Sequence, residues 1–306
     1  MRDFPACCPC RRFEMPDAVE FLSQGINGVV LGLLFSTIAI GFTLMLGVIG
    51  IINFAHGILF ALGAYFALTI RNTLGFWAAL IVSPLIVGLI GIIIERLAIR
   101  RMYGKDALFC LLLTFGIAMS MEELIRMIWG KLGHSISAPA FVSGSIDLGF
   151  MLYSKYRLLL AGLSALILFL VWLFLEKTTY GAIVKAGAQD AEMVGVLGNN
   201  ISRLRTFVFG FGSALAGIAG VIAAPLWSVR PGMGNDAIMP AFVIVVLGGI
   251  GSFWGTVIGG LAVGLSISLA VMFLPRMSDL VMYILAALVL LFWPRGIMGE
   301  KSILEE

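Results

Sequence analysis

The chain has 306 residues, of which 60% are hydrophobic and 12% charged, with 20 Lys and Arg against 17 Asp and Glu for a formal net charge of +3. Soluble domains carry about 25% charged residues, and a mean hydropathy of +1.07 leaves too little polar side chain to cover a water-soluble body of this size. A soluble enzyme, a disordered chain and a secreted disulfide domain are therefore excluded, which leaves an all-α polytopic membrane protein.

Residues 1–20 read as a polar tail. Cys7-Cys8-Pro9-Cys10 has the look of a metal knuckle but lacks a second half, because His56 and His134 lie in unrelated contexts, so no metal role is assigned. Arg11-Arg12-Phe13 is not followed by a small-residue cleavage site. The first apolar run, from about Phe21 to Ile52, also exceeds the roughly 7–15 residues of a signal-peptide core, so no cleavable leader is expected.

From Ile26 to Ile70 there is no charge in 45 residues. At 1.5 Å per residue this is about 67 Å of helix against about 30 Å of hydrocarbon, so the run predicts two crossings and a reversal. The polar break is Asn53-Phe54-Ala55-His56-Gly57. Asn53 and His56, three apart, would share a helical face; they line or gate a path, or they satisfy backbone at the break. Further spans are predicted at about Phe76–Ile94, Ala107–Trp129, Leu158–Leu175, Thr206–Ala224 and Asp279–Trp293. Glu122, Glu123 and Arg126 fall near one end of the span to Trp129, with Glu123 and Arg126 spaced to pair.

A second chargeless run, Ala237–Leu274, is interrupted by Gly248-Gly249-Ile250-Gly251-Ser252-Phe253-Trp254-Gly255 and reads as two short spans or a re-entrant hairpin. The total is about eight membrane segments. Broken helices persist in a bilayer only where protein or a wet cavity repairs their backbone, and paired breaks point to a transport path. Asn53, His56, Gly57, Gly248, Gly249 and Gly251 are accordingly the candidate path residues, the alternative being close helix packing through small residues such as Gly255, Gly259, Gly260 and Gly264.

Basic residues set the orientation. Arg96, Arg100, Arg101 and Lys105, then Lys177, Lys185, Arg203 and Arg205, then Arg295 and Lys301 place three segments in the cytoplasm. Arg71–Gly75, Gly130–Arg157 and Pro225–Asp236 then face outside, as does the N-terminus. Residues 21–299 form one transmembrane domain with a cytoplasmic loop at 176–205, followed by a tail at 300–306. Within the loop, Ala186–Leu197 reads as one short helix stopped by Gly198-Asn199-Asn200, with Ser202 capping the next span. Gln189, Asp190 and Glu192 disfavour an anionic membrane surface, which leaves a soluble protein partner as the better reading. No phosphate-binding G-x-x-x-x-G-K-[ST] loop occurs, so ATP-driven work would fall to another chain.

Three stretches carry a family resemblance: Gly41-Phe42-Thr43-Leu44-Met45 with Gly47 through Gly57 and Gly63-Ala64-Tyr65; Tyr180-Gly181 with Ala188 through Met193 and Leu197-Gly198; and Val246 through Ser252 with Gly255 and Gly259. From about Phe21 to Gly299 the chain resembles the LivH-type permeases of branched-chain amino acid ABC transporters. The resemblance implies an import system in which two related permeases form the path, ABC ATPases sit beneath them, and an extracytoplasmic binding protein delivers the solute. It makes Gln189, Asp190, Glu192 and Gly198 part of the helix that couples to the ATPase, and implies branched-chain or other small hydrophobic amino acids as cargo. Related permeases for urea, amides or other small solutes, or a secondary transporter or channel, remain alternatives. A polytopic enzyme would need clustered His, Asp, Glu or Ser–His groups, which two unpaired His do not supply. Neither cofactor nor nucleic acid is implied.

Overall fold

The computed structural model describes residues 18–299 apart from 148, 150 and 294; Cys7, Cys8 and Cys10 lie outside the described residues. Its helices are α1 (Ala18–Ile49), α2 (Ala55–Leu74), α3 (Phe76–Leu97), α4 (Ala107–Trp129), α5 (Lys155–Lys177), α6 (Thr179–Gln189), α7 (Ala191–Val196), α8 (Ile201–Ala223), α9 (Met233–Gly248), α10 (Phe253–Phe273) and α11 (Ser278–Phe292). Strands β1 (Ser145–Asp147) and β2 (Leu152–Ser154) form a small antiparallel hairpin. Seven helices are long and apolar enough to cross a membrane, and α9 and α11 are shorter apolar helices.

The run Ala237–Leu274 resolves into two antiparallel helices: Gly248 of α9 abuts Gly255 of α10, and Gly259 abuts Ile244. Loops far apart in sequence gather at one end of the bundle. There Arg100 reaches Thr206, Gly47 meets Gly251, and the Ile297 N–H donates to the Leu247 carbonyl at 2.8 Å. Most of the basic residues assigned to the cytoplasm lie at this end.

Helices that start at that end begin on polar caps. Asp106, Thr178, Asp190, Asn200 and Ser252 each accept a backbone N–H from the first turn of α4, α6, α7, α8 and α10. An accepted N–H of this kind contributes about 1 kcal/mol. The helix starts at Gly75, Ser154, Gly232 and Met277 show no side-chain cap.

Packing at the centre runs through glycine. Gly28 and Gly32 of α1 lie against Leu261, Gly264 and Leu265 of α10, and a Cβ on either would meet partner backbone at 2.8 Å. Ser36 donates to the Gly32 carbonyl at 2.7 Å, and the Thr43 and Thr256 hydroxyls meet at 2.8 Å. Without a hydrophobic driving force between helices in lipid, such close approach supplies the attraction. α1 is consequently the best-buried span, with 83% of its apolar window inside the protein, whereas α4 has 17%.

Several boundaries differ from expectation. α1 starts at Ala18, inside the segment read as a tail. Ala186–Leu197 is not one helix: Asp190 leaves helical geometry and its side chain accepts the Met193 N–H at 2.9 Å, ending α6 and starting α7. Asn200, not Ser202, caps α8. The segment after α8, expected to face outside, packs inward in part. Ala224, Val229 and Met233 are buried and Trp227 packs between Phe35 and Phe60, because its polar residues are interleaved with Leu226, Trp227 and Val229.

A prediction follows from the α1–α10 contact. Gly264→Leu should lower the thermal unfolding midpoint of the detergent-purified protein by the equivalent of about 1–3 kcal/mol. Gly162→Leu, where a Cβ would meet nothing within 4 Å, should leave the midpoint within a degree or two of the parent.

Candidate functional site: the helix breaks and the coupling segment

The first break falls at 50–54, between α1 and α2. Its backbone is repaired locally and from a distance. The Asn53 side-chain oxygen accepts the Ala55 N–H at 3.1 Å, and the Thr114 hydroxyl of α4 accepts the Phe54 N–H at 3.3 Å. Asn53 is 2% exposed and its amide nitrogen approaches the Met45 sulfur at 3.6 Å. Asn53 thus precedes the helix and starts it, so it does not share a helical face with His56. His56 is fully buried in the first turn of α2. Its Nε2 donates to the Ile38 carbonyl at 3.0 Å and its ring lies 5.4 Å from Phe42, while Nδ1 has no partner. Both side chains are buried and tie the start of α2 to α1, through Met45, Ile38 and Phe42; the link to α4 is the Phe54 N–H on Thr114.

Gly57 stands where α2 crosses α9. A Cβ there would overlap the Gly234 carbonyl and come within 2.9 Å of Ile238. The first break therefore meets the start of α9, not the glycine-rich turn after it.

Gly248 is the last residue of α9, and Gly249 and Gly251 lie in the turn 249–252 at the basic end. Gly249 (φ +100°) and Gly251 (φ +82°) take left-handed backbone that favours glycine. Ser252 caps α10, and the Ile297 and Met298 N–H groups donate to the Leu247 and Gly248 carbonyls at 2.8 and 3.1 Å. The C-terminal segment thus closes the open end of α9.

The segment 176–205 reaches the end of α1, next to the first break, and the 249–252 turn. Ala188 of α6 sits against Gly47 near the end of α1 and against Gly251 in the turn, so that α1, α6 and the α9–α10 turn converge on one point. Beyond it, α7 leaves Met193, Val196 and Leu197 exposed at 56%, 83% and 73%. Glu192 is exposed beside them, and Gly198 (φ +88°) ends the segment. The Asp190 carboxylate, expected on the docking face, is engaged as the α7 cap. Gln189 is the last residue of α6.

Two polar clusters lie outside the expected set. The Glu122 carboxylate accepts from Arg126 at 2.6 Å and from Asn235 of α9 at 3.4 Å; Arg126 also reaches Glu123 at 3.1 Å, and Arg230 pairs with Asp236 at 2.7 Å. The Glu123–Arg126 pair is the one its spacing predicts, but its link through Glu122 to the start of α9 is tertiary. The second cluster surrounds Glu95, which is 0% exposed. It pairs with Arg100 at 3.3 Å and accepts from the Tyr103 and Thr206 hydroxyls at 3.0 and 2.8 Å. Burial first, and the Glu95 charge second, push the Tyr103 hydroxyl above its ordinary pKa and keep it a donor. Glu95 stands alone between Ile94 and a basic run. Its spacing from Arg100 and Tyr103 was a usable signal; Thr206 was not.

A bundle of apolar helices, broken at 50–54 beside the α2–α9 crossing and joined to a short exposed helix at its basic end, has the architecture of a membrane-embedded permease component. The model of the family described as "Branched-chain amino acid transport system / permease component" matches residues 25–290, and the chain belongs to that family. It is similar to the high-affinity branched-chain amino acid transport system permease protein BraD of Pseudomonas aeruginosa, at 32% identity covering 94% of this chain and 99% of that protein. Similarity to the corresponding LivH of Escherichia coli K12 is 33%, covering 92% and 97%. The ribose import permease protein RbsC of Haemophilus influenzae is 27% identical over 82% of this chain and 76% of its own length. No solved structure matches. The chain is thus a multi-pass inner-membrane transport subunit and not an enzyme; ATP hydrolysis rests on a separate subunit.

Gly57→Leu is expected to abolish uptake in cells carrying the complete transport system while its subunits still co-purify. Normal uptake would show that close approach of α2 and α9 is dispensable.

Proposed function

We propose that this chain translocates branched-chain amino acids, as the names of its relatives read, by ATP-driven alternating access in partnership with a second related permease. An extracytoplasmic binding protein delivers the solute and sets its identity, so that the membrane path itself needs few polar contacts. A path with little differential affinity cannot drive its own switch, which assigns the work to the ATPase.

The observation that carries this reading is the convergence of Ala188, Gly47 and Gly251. The ATPase receives the exposed apolar edge of α7, formed by Met193, Val196 and Leu197. Displacement of α6–α7 then bears directly on the end of α1 and on the α9–α10 turn. α1 and α9 in turn hold the start of α2, through Ile38 and Gly234, so that movement at the basic end reaches the α2–α9 crossing without a flexible intermediate.

The second permease covers the face carrying α4. Charged groups exposed along a membrane helix require a wet cavity or a protein partner, and Glu122, Glu123 and Arg126 lie on this sparsely buried helix. A transporter working alone on ion coupling would want an unpaired intramembrane carboxylate. Glu95, the fully buried one among the described residues, is already held by Arg100, Tyr103 and Thr206.

Two variants separate docking from helix capping. Val196→Asp with Leu197→Asp should reduce ATPase co-purification at least tenfold while membrane insertion is unchanged. Asp190→Asn, which keeps a side-chain oxygen for the Met193 N–H, should co-purify as the parent does. Undiminished recovery of the ATPase with the double variant would remove α7 as the docking element.

A further inference from the structure

A cavity of about 470 Å³ opens beside the coupling segment, between the end of α3 and the start of α8. Its walls are Arg96, Arg100, Asn200, Ser202, Arg203 and Phe207. Three guanidinium groups therefore surround one space. Arg100 is engaged with Glu95 and Thr206. Arg96 and Arg203, both exposed, have no ion-pair partner among the described residues. The cavity thus holds about two uncompensated positive charges at the end of the bundle where the basic loops gather.

Its lower wall is of a different kind. Arg203, Phe207 and Phe211 follow one another at four-residue spacing on α8, so they form a single stripe running from the cavity toward the membrane interior. The Phe207 and Phe211 rings stack at 5.9 Å with a 7° interplanar angle. Phe174 of α5 adds a ring 5.2 Å from Phe211, and Tyr180 of α6 one 6.5 Å from Phe207. Phe207 and Tyr180 are outward-facing, at 43% and 68% exposure. A basic cup continued by an aromatic ladder on the membrane-facing surface matches an anion that carries hydrocarbon, with charge at one end and apolar length below it. A free phosphate would leave the aromatic ladder uncovered.

We propose that this cavity is a binding site for an anionic phospholipid of the cytoplasmic leaflet, with the phosphodiester held by Arg96 and Arg203 and an acyl chain lying along Phe207 and Phe211. Basic pockets between membrane helices on the cytoplasmic side have the chemistry to hold such headgroups. Asn200 caps α8 immediately after the coupling segment, so the lipid sits at the joint between that segment and the membrane domain.

The test uses the purified full-length chain and native mass spectrometry with dioleoyl-phosphatidylglycerol, with dioleoyl-phosphatidylcholine as the zwitterionic comparison. One phosphatidylglycerol per chain should be retained in preference to phosphatidylcholine. Arg96→Gln with Arg203→Gln should weaken that retention about thirtyfold. Phe207→Ala should weaken retention of dioleoyl-phosphatidylglycerol but not of the chain-free headgroup glycerophosphoglycerol. If the double Gln variant fails to give a monodisperse protein, Arg203→Gln alone replaces it; its retention should fall about fivefold, and parental retention overturns the proposal. Equal retention of both lipids, or parental phosphatidylglycerol binding by the double Gln variant, overturns the proposal. So does displacement of the lipid by millimolar inorganic phosphate, which marks a free-anion site. Loss of ATPase co-purification in the double Gln variant with lipid retention intact also overturns it, because the arginines then serve a protein contact.

Discussion

Hydrocarbon offers no partner to a peptide N–H or C=O, and this constraint governs every place where the chain departs from a helix. At 50–54 the exposed donors are taken by Asn53 and by Thr114 of another helix. At 249–252 the carbonyls at the end of α9 receive N–H groups from residues 297 and 298, near the far end of the chain. Between α8 and α9 the backbone of Val229 exchanges two hydrogen bonds with His134, at 2.8 and 2.9 Å. Each of these three interruptions draws on a segment distant in sequence. These breaks are therefore in part tertiary features, completed when the bundle around them is assembled.

The same constraint explains what the sequence disclosed. Chargeless runs of 45 and 38 residues were too long for one span each; the polar stretch at Asn53–Gly57 placed the first reversal, and the Gly248–Gly255 interruption marked the second while leaving open two short spans or a re-entrant hairpin. Lys and Arg marked loops that the structure gathers at one end of the bundle. Asp190 was not legible as a helix boundary, because Ala188, Ala191, Val194 and Leu197 recur at a spacing that continues across it; a side chain that caps looks the same in sequence as one that docks. The roles of Asn53 and His56 followed the same pattern. Polarity marked them as unusual, but whether a buried polar group lines a path or mends the backbone depends on neighbours at Ile38, Met45 and Ala55 that polarity does not name. The inward packing of the connector after α8 had no signal in the charge pattern, because Trp227 owes its packing to Phe35 and Phe60, which lie far away in the sequence.

Glycine supplies the other half of the architecture. Gly32 against Gly264, Gly57 against Gly234, and Gly63 against Gly217 bring backbones together where any side chain would separate them. These contacts define helix positions to within a fraction of a side chain, which is what a subunit driven from one end requires. Motion of one helix is not absorbed by deformable side chains between it and the next.

α1 extends that principle across the whole bilayer. Near its beginning the Asn27 side chain accepts hydrogen bonds from Tyr153 in the external hairpin and from Arg157 at the start of α5, at 3.1 and 2.6 Å. Near its end, Gly47 rests on Ala188 and Gly251. The 32 residues between Ala18 and Ile49 form one unbroken rod of about 48 Å. Contacts at opposite ends of the bundle, Tyr153 and Arg157 at one and Ala188 and Gly251 at the other, are thus fastened to the same strut. A load applied at either end reaches the other along one girder.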